Sequence, residues 1–276
     1  MLINCKGNLI DLKNPKVMGI LNTTPDSFFD GGKFNDEKKI LNQVEKMLQD
    51  GATFIDVGAY SSKPGAEFVT EEQELSRLLP VLELILKHFP NIYLSIDTFR
   101  SNVAKRAVEN GAAMINDISA GLLDDKMIET VAQLQVPYVM MHMKGNPQNM
   151  QSLANYDDIV KEMVFYFSER INTARRFGLN DIIIDPGFGF AKTLEHNYEV
   201  MRKMDYFSIL ELPLLIGVSR KSMIYKLLES TPQESLNGTT VLNTIALQRG
   251  ASILRVHDVK EAMECVKIND QLNTFN

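Results

Sequence analysis

Short apolar runs alternate along the chain with longer segments in which apolar residues recur at helical spacing. The runs are Val17–Leu21, Phe54–Val57, Tyr93–Ile96, Met114–Asn116, Tyr138–Met141, Ile182–Ile184, Leu214–Val218 and Ile253–Val256. Each is nearly continuous in apolar character, as expected for a parallel strand covered on both faces. Between them, Ile40, Val44 and Met47 share one helical face, as do Met127, Val131 and Leu134, and Val160, Val164 and Phe167. Strands alternating with helices predict a parallel sheet with right-handed crossovers. Eight repeats favour a closed (β/α)8 TIM barrel over an open doubly wound sheet, and no G-x-G-x-x-G follows the first strand. Gly187 and Gly189 give G-F-G, but after the sixth strand and without the third glycine. Met1 to Leu12 reads as a short N-terminal hairpin turning at Gly7-Asn8 and closing the barrel bottom. No linker or low-complexity tract interrupts the alternation. Residues 1–276 are therefore expected to form a single α/β domain, with its core motifs in about 16–258.

Composition narrows the class. An apolar fraction of 45% with 23% charged residues is ordinary for a soluble globular protein. No stretch approaches the roughly eighteen apolar residues of a membrane span. Asn4, Lys6, Asn8 and Asp11 break the N-terminal apolar run, so no secretory signal is read and a cytoplasmic location is expected. Cys5 and Cys265 carry no motif spacing and read as reduced thiols. A net charge of −6 without a Lys/Arg cluster argues against a nucleic-acid partner. It leaves small anionic ligands open, since these need only a local cationic site.

The chemistry lies at and just beyond the end of each strand. The first ends in Asn22-Thr23-Thr24-Pro25-Asp26-Ser27, and the second holds Asp56 and leads into Gly58-Ala59-Tyr60-Ser61-Ser62-Lys63-Pro64-Gly65. Then come Asp97-Thr98, Asn116-Asp117, His142 and Asp185-Pro186-Gly187-Phe188-Gly189-Phe190. The last two strands lead to Ser219-Arg220-Lys221-Ser222 and Arg255-Val256-His257-Asp258. In a barrel these positions converge on the C-terminal rim, where this architecture places its active site. Asp117 and Asp258 read equally well as helix caps. A buried Asp or Asn needs hydrogen-bond partners, which a bound heterocycle can supply.

Two zones emerge. Asp97, Asn116 and Asp185, with Lys221 nearby, would satisfy a ring with amino, amide and N–H edges, such as guanine or a pterin. Arg255 and His257, two positions apart, point the same way and with Asn22 suit a phosphate or pyrophosphate. The sequence contains no H-x-x-x-H and no His/Cys cluster, which argues against structural zinc. Magnesium held mainly by substrate phosphates needs only one or two protein ligands. His88 and His196 fall in helical segments and read as surface residues. No nucleophile with an adjacent base is evident, so positioning and electrostatics are expected to carry catalysis.

Met18-Gly19-Ile20-Leu21-Asn22-Thr23-Thr24-Pro25-Asp26-Ser27-Phe28 resembles the first signature of the dihydropteroate synthase family, and Asp56-Val57-Gly58 through Pro64-Gly65-Ala66 the second. The segments at Asp97, Asn116, His142, Asp185–Phe190, Ser219–Ser222 and Leu254–Asp258 follow in that family's order. The resemblance implies condensation of 6-hydroxymethyl-7,8-dihydropterin diphosphate with 4-aminobenzoate, a transferase step of folate biosynthesis that releases pyrophosphate and 7,8-dihydropteroate. It implies that Asp97, Asn116, Asp185 and Lys221 hold the pterin and that Met141, Phe190 and Gly217 line its slot. Asn22, Arg255 and His257 would bind the diphosphate, Asn22 also touching Mg2+. Loops at Thr23–Gly32 and Ser61–Ala66 would bring Phe28, Ser62, Lys63 and Pro64 to 4-aminobenzoate, with Ser62 also reaching the pterin diphosphate. Phe190, Arg220, Lys221 and Ser222 would complete that second site, where a helix N-terminus suits the carboxylate. C–O cleavage would lead, with Asp97, Lys221, Arg255 and His257 as the catalytic groups.

By the same resemblance the chain would be a sulfonamide target, with Phe28 and Pro64 the positions to watch. It would also be a homodimer through its last helices, using Val241, Leu242 and Ile245 or Met263 and Val266. A methyltetrahydrofolate:corrinoid methyltransferase would share the pterin logic but needs neither the Arg255–His257 pair nor an arylamine loop. Four positions depart from the family's commonest form. Tyr60 stands for an acid, Ser62 for a threonine whose hydroxyl it keeps, Lys63 for an arginine and Ala191 for a glycine. Lys63 keeps the charge but lacks the planar bidentate fork.

Overall fold

The computed structural model describes residues 1–23, 33–60 and 69–274, with the backbone alone at 33–35. The apolar runs become β3 (Lys16–Asn22), β4 (Phe54–Gly58), β5 (Tyr93–Asp97), β6 (Met114–Asp117), β7 (Tyr138–Met141), β8 (Ile182–Asp185), β9 (Leu215–Ile216) and β10 (Ile253–Val256). They form one eight-stranded parallel sheet in the order β8-β7-β6-β5-β4-β3-β10-β9. A parallel bridge between Ile184 and Leu214 brings its two ends together, so the sheet curls into the expected barrel. The seventh strand is shorter than its apolar run, keeping only Leu215 and Ile216 in the ladder.

Around the barrel lie α1 (Lys33–Gln49), α2 (Glu71–His88), α3 (Ser101–Glu109), α4 (Met127–Leu134), α5 (Ile159–Arg176), α6 (Leu194–Arg202), α7 (Ser222–Tyr225), α8 (Leu236–Gln248) and α9 (Val259–Asn273). Their predicted inner faces pack as expected. Ile40, Val44, Met47, Met127, Val131, Val160 and Phe167 are buried, and Leu134 and Val164 are partly buried against them. His88 is exposed as anticipated, whereas His196 is half-buried. Its ring nitrogen accepts from Thr193 N at 3.3 Å at the start of α6 and its ring meets Tyr156 edge-on. Among the described residues, no helix is long and apolar enough to cross a membrane.

Strand alternation sorts side chains into an outer and an inner set. Ile55, Val57, Leu94, Ile96, Ile115, Tyr138 and Met140 join the helix-facing core. Met18, Phe54, Met114, Val139, Ile183, Leu215 and Ile253 form a separate cluster within the barrel. Ile3, Cys5, Ile10 and Leu12 of the hairpin β1 (Leu2–Cys5) and β2 (Asn8–Asp11) pack into that cluster. The hairpin therefore seals the bottom, as expected. Its corner is Lys6-Gly7, one residue earlier than anticipated, because Cys5 pairs with Asn8 and both corner residues have positive φ (53° and 82°). That is the backbone twist a two-residue hairpin turn requires.

Candidate active site

On four of the strands, two residues beyond the inner apolar cluster, the same inward face becomes polar. Phe54 gives way to Asp56, Met114 to Asn116, Ile183 to Asp185 and Ile253 to Arg255; Tyr93 is followed on that face by Ser95 and Asp97. The parallel register sets Asp97 beside both Gly58 and Asn116, and Met141 beside Asp185. The sheet thus delivers the expected pterin residues to one end of one barrel.

Arg255 joins the two expected zones. Its Nε donates to Asp56 Oδ2 at 2.6 Å and its Nη2 to Asp97 Oδ2 at 2.8 Å. Asn116 Nδ2 donates to the same Asp56 oxygen at 3.0 Å. Asp56 is fully buried, whereas the side chains of Asp97 and Arg255 are each 19% exposed at the mouth. Desolvation pushes the Asp97 carboxyl up to about 7, with Arg255 opposing the rise and Asp56 adding to it. Asp56 lay outside the expected ligand set. As the one charged residue inside the run Phe54–Val57, covered on both faces, it required a cation, and this was the signal available in the sequence.

A second cluster surrounds the loop after β8. Asp185 Oδ1 accepts from Gly187 N at 2.7 Å. Burial raises the Asp185 carboxyl, opposed first by the charge of Lys221. Lys221 Nζ donates to Phe188 O at 2.5 Å and lies 5.1 Å from the centre of the Phe190 ring. Desolvation lowers this amine to about 8, against the pull of Asp185. Met141 packs beside Gly187, and Gly217 lies beside Arg255. Gly187 has φ +67°, and a Cβ there would stand 2.3 Å from His142 O, so no other residue fits without movement.

His257 and Arg220 take different partners. His257 Nδ1 lies 3.0 Å from Ser219 Oγ, which also accepts from the His257 backbone N–H at 3.2 Å. Arg220 forks onto Asp258, with Nε–Oδ2 at 3.0 Å and Nη2–Oδ1 at 2.6 Å. Asp258 is therefore an arginine partner and makes no side-chain cap on α9. Asp117 likewise caps no helix: it accepts from Tyr138 Oη at 2.5 Å and from the backbone of Ser119 and Gly121. Ser222 opens a helix of only four residues, too short for the expected N-terminal dipole to contribute much. Asn22 is exposed at the end of β3. The expected contributions of Phe28, Ser62, Lys63 and Pro64 lie outside the described residues.

Residues 18–257 match the pterin binding enzyme family. The chain is 43% identical to dihydropteroate synthase of Escherichia coli (strain K12) over 97% of its own length and 95% of that protein. It is 42% identical to the Bacillus subtilis (strain 168) dihydropteroate synthase, covering 93% of this chain and 88% of that one. The chain belongs to the dihydropteroate synthase family. It is accordingly an enzyme, a transferase of the pterin-methyl group. Solved dihydropteroate synthases share the fold. The Yersinia pestis enzyme in a sulfonamide drug complex has a TM-score of 0.92 at 40% identity, covering 99% of this chain and 100% of that one. The Xanthomonas albilineans enzyme with 4-aminobenzoic acid has 0.91 at 36%, covering 99% and 98%.

Two of the departures from the commonest dihydropteroate synthase pattern now have physical readings. Tyr60 meets Phe99 edge-on at 5.2 Å, with the Arg100 guanidinium 5.6 Å from its ring centre. Arg100 in turn bonds Glu74 and donates to Val69 O at 2.6 Å, so Tyr60 packs into a braced corner before residue 61. Ala191 is fully buried at φ 47°, the left-handed region that a glycine occupies without strain.

Proposed function

We propose that the rim residues carry the condensation of 6-hydroxymethyl-7,8-dihydropterin diphosphate with 4-aminobenzoate by binding and charge alone. The observation behind this reading is the inward polar layer, in which Arg255 lies between Asp56 and Asp97 while Lys221 offsets Asp185. Asn116 and Asp185 present donors and acceptors to the pterin edge, and Phe190 and Met141 wall the ring. Arg255 and His257 take the diphosphate. The C–O bond breaks with its electron pair going to the departing diphosphate oxygen. The positive charge left on the dihydropterin methylene spreads into the ring and faces the Asp97 carboxyl, whose anionic form Arg255 favours in opposition to burial. The arylamine nitrogen then forms the C–N bond and releases a proton. Arg220, held by Asp258, fixes the backbone that presents Lys221 and Ser222 to the second substrate.

Mg2+ fits this donor set. Among the described residues no three His, Cys, Asp or Glu side chains cluster as a metal cage, while Asn22 offers one exposed amide oxygen at the rim. Asn22 would hold an ion ligated mainly by diphosphate oxygens, and the bound ion supplies charge neutralisation at the leaving group. A cytoplasmic homodimer belongs to the same proposal. Val241 on α8 and Ile268 and Leu272 on α9 are exposed, whereas Leu242 and Val266 are spent on the core. Purified protein given the dihydropterin diphosphate, 4-aminobenzoate and Mg2+ should release pyrophosphate and form dihydropteroate; pterin binding without product would sink the reading.

A further inference from the structure

Lys192 is a charged side chain without a place in the mechanism above, and it is only 4% exposed. A buried ammonium needs acceptors for its protons. Its Nζ donates to Gly187 O and Phe190 O, both at 3.0 Å, and lies 3.1 Å from His142 Nδ1. These partners are the two ends of the loop that carries the pterin wall and the residue immediately after β7. His142 is itself clamped: its backbone N–H donates to Asp185 O at 2.9 Å, and its ring meets Tyr166 edge-on at 4.8 Å. Burial and the neighbouring Lys192 charge hold the imidazole neutral, which leaves Nδ1 as the acceptor. Burial draws the Lys192 amine down to about 7, opposed by the charge of Asp185.

The rest of the loop is held in the same manner. Phe188 O accepts from Lys221 Nζ at 2.5 Å, Gly189 O from Gln151 Nε2 at 3.2 Å and Ala191 O from Tyr156 Oη at 2.8 Å. Side-chain donors therefore take every carbonyl from residue 187 to residue 191, and Lys192 supplies two of the five. Without it Phe190 O loses its side-chain donor, and Gly187 O keeps only the Phe190 backbone N–H at 3.1 Å. Gly187 N is bonded to Asp185 and Phe190 carries the ring wall, so the residues whose carbonyls Lys192 holds are the ones that place both pterin-facing groups.

We infer that Lys192 is a positioning residue for the pterin, holding the Asp185–Phe190 loop in its binding shape through Gly187, Phe190 and His142. It touches no substrate. The inference rests on the functional reading given above, and its test separates the two. Lys192→Met should raise the KM and the directly titrated Kd for the dihydropterin diphosphate at least tenfold, with the KM for 4-aminobenzoate within twofold of wild type. Lys192→Gln keeps two amide N–H donors on a side chain one bond shorter and should recover part of the lost affinity. Where Lys192→Met does not fold, as judged by circular dichroism, Lys192→Gln against wild type carries the test. Pterin affinity equal to wild type in the folded variants would overturn the assignment, as would an equal loss toward both substrates. Wild-type protein that forms no dihydropteroate would instead overturn the functional reading.

Discussion

The two ends of the barrel use the same strands and the same inward face for opposite purposes. At the bottom, Phe54, Met114, Val139, Ile183 and Ile253 meet the hairpin's Ile3 and Cys5 in an apolar plug. Two residues further on, the buried Asp56, Asn116 and Asp185 and the half-buried Arg255 face inward. The bottom is stabilised by removing apolar surface from solvent. The top is costly to bury, as the raised Asp97 and Asp185 carboxyls and the lowered Lys192 and Lys221 amines record. One layer of side chains therefore separates the part of the molecule that stabilises the fold from the part that is charged for binding.

Single substitutions can sharpen or break that division. The largest effect is expected at the bottom. Phe54→Ala should cost about 3–5 kcal/mol of stability in denaturant unfolding while leaving both KM values unchanged; a shifted pterin KM would show that the two layers are not separable. At the top, Asp185→Asn keeps an oxygen for Gly187 N but removes the charge. It should lower kcat/KM roughly 100-fold, about 2.7 kcal/mol, with Tm unchanged or raised. Near-normal steady-state kinetics would remove Asp185 from the site.

The pH response should divide in the same way. The folded chain holds extra protons on Asp97 from the ordinary carboxylate range up to about 7, so stability falls as pH rises through that window. Asp185, Asp117 and Glu74 are raised too and act with the same sign. Lys192 and Lys221, lowered to about 7 and about 8, have released protons that the unfolded chain keeps up to 10.5, so stability recovers as pH rises further. Turnover has the opposite profile. With Asp97 needed as an anion and Lys221 as a cation, kcat/KM for the pterin diphosphate should peak between about 7 and about 8, losing about tenfold per pH unit on either side. A flat profile over that range would contradict these roles. The smallest effect belongs to Ala191→Gly, which relieves a left-handed alanine but loosens the unfolded chain. A net gain of roughly 0.5 kcal/mol should register as a slightly higher Tm.

Periodicity made the barrel legible because a strand covered on both faces must be apolar on both faces. Only the seventh run misled, since Gly217 and Val218 lie past the end of the ladder at β9. Asp97, Asn116 and Asp185 were also readable, as polar residues ending apolar runs. Pairing was not. Arg255 and Asp56 lie 199 positions apart, and only closure of the barrel brings them within 2.6 Å. Lys192 escaped for a different reason. A lysine in a glycine-rich loop reads as solvated, and nothing local reveals that Gly187 and Phe190 turn their carbonyls inward to receive it. The two polar zones drawn from the sequence are likewise one network in space, because Arg255 bonds a carboxylate assigned to the other zone.

The hairpin plug leaves the molecule with a chemical timer. Cys5 has no exposed surface, and burial beside Asp181 pushes its thiol up to about 12, so it is unreactive toward alkylating reagents while the plug is seated. Cys265, also buried, sits on α9 at the outer shell. Each thiol becomes labelled only when its own region opens. The order in which the two react with an alkylator would show directly whether the barrel comes apart from its floor or from its wall.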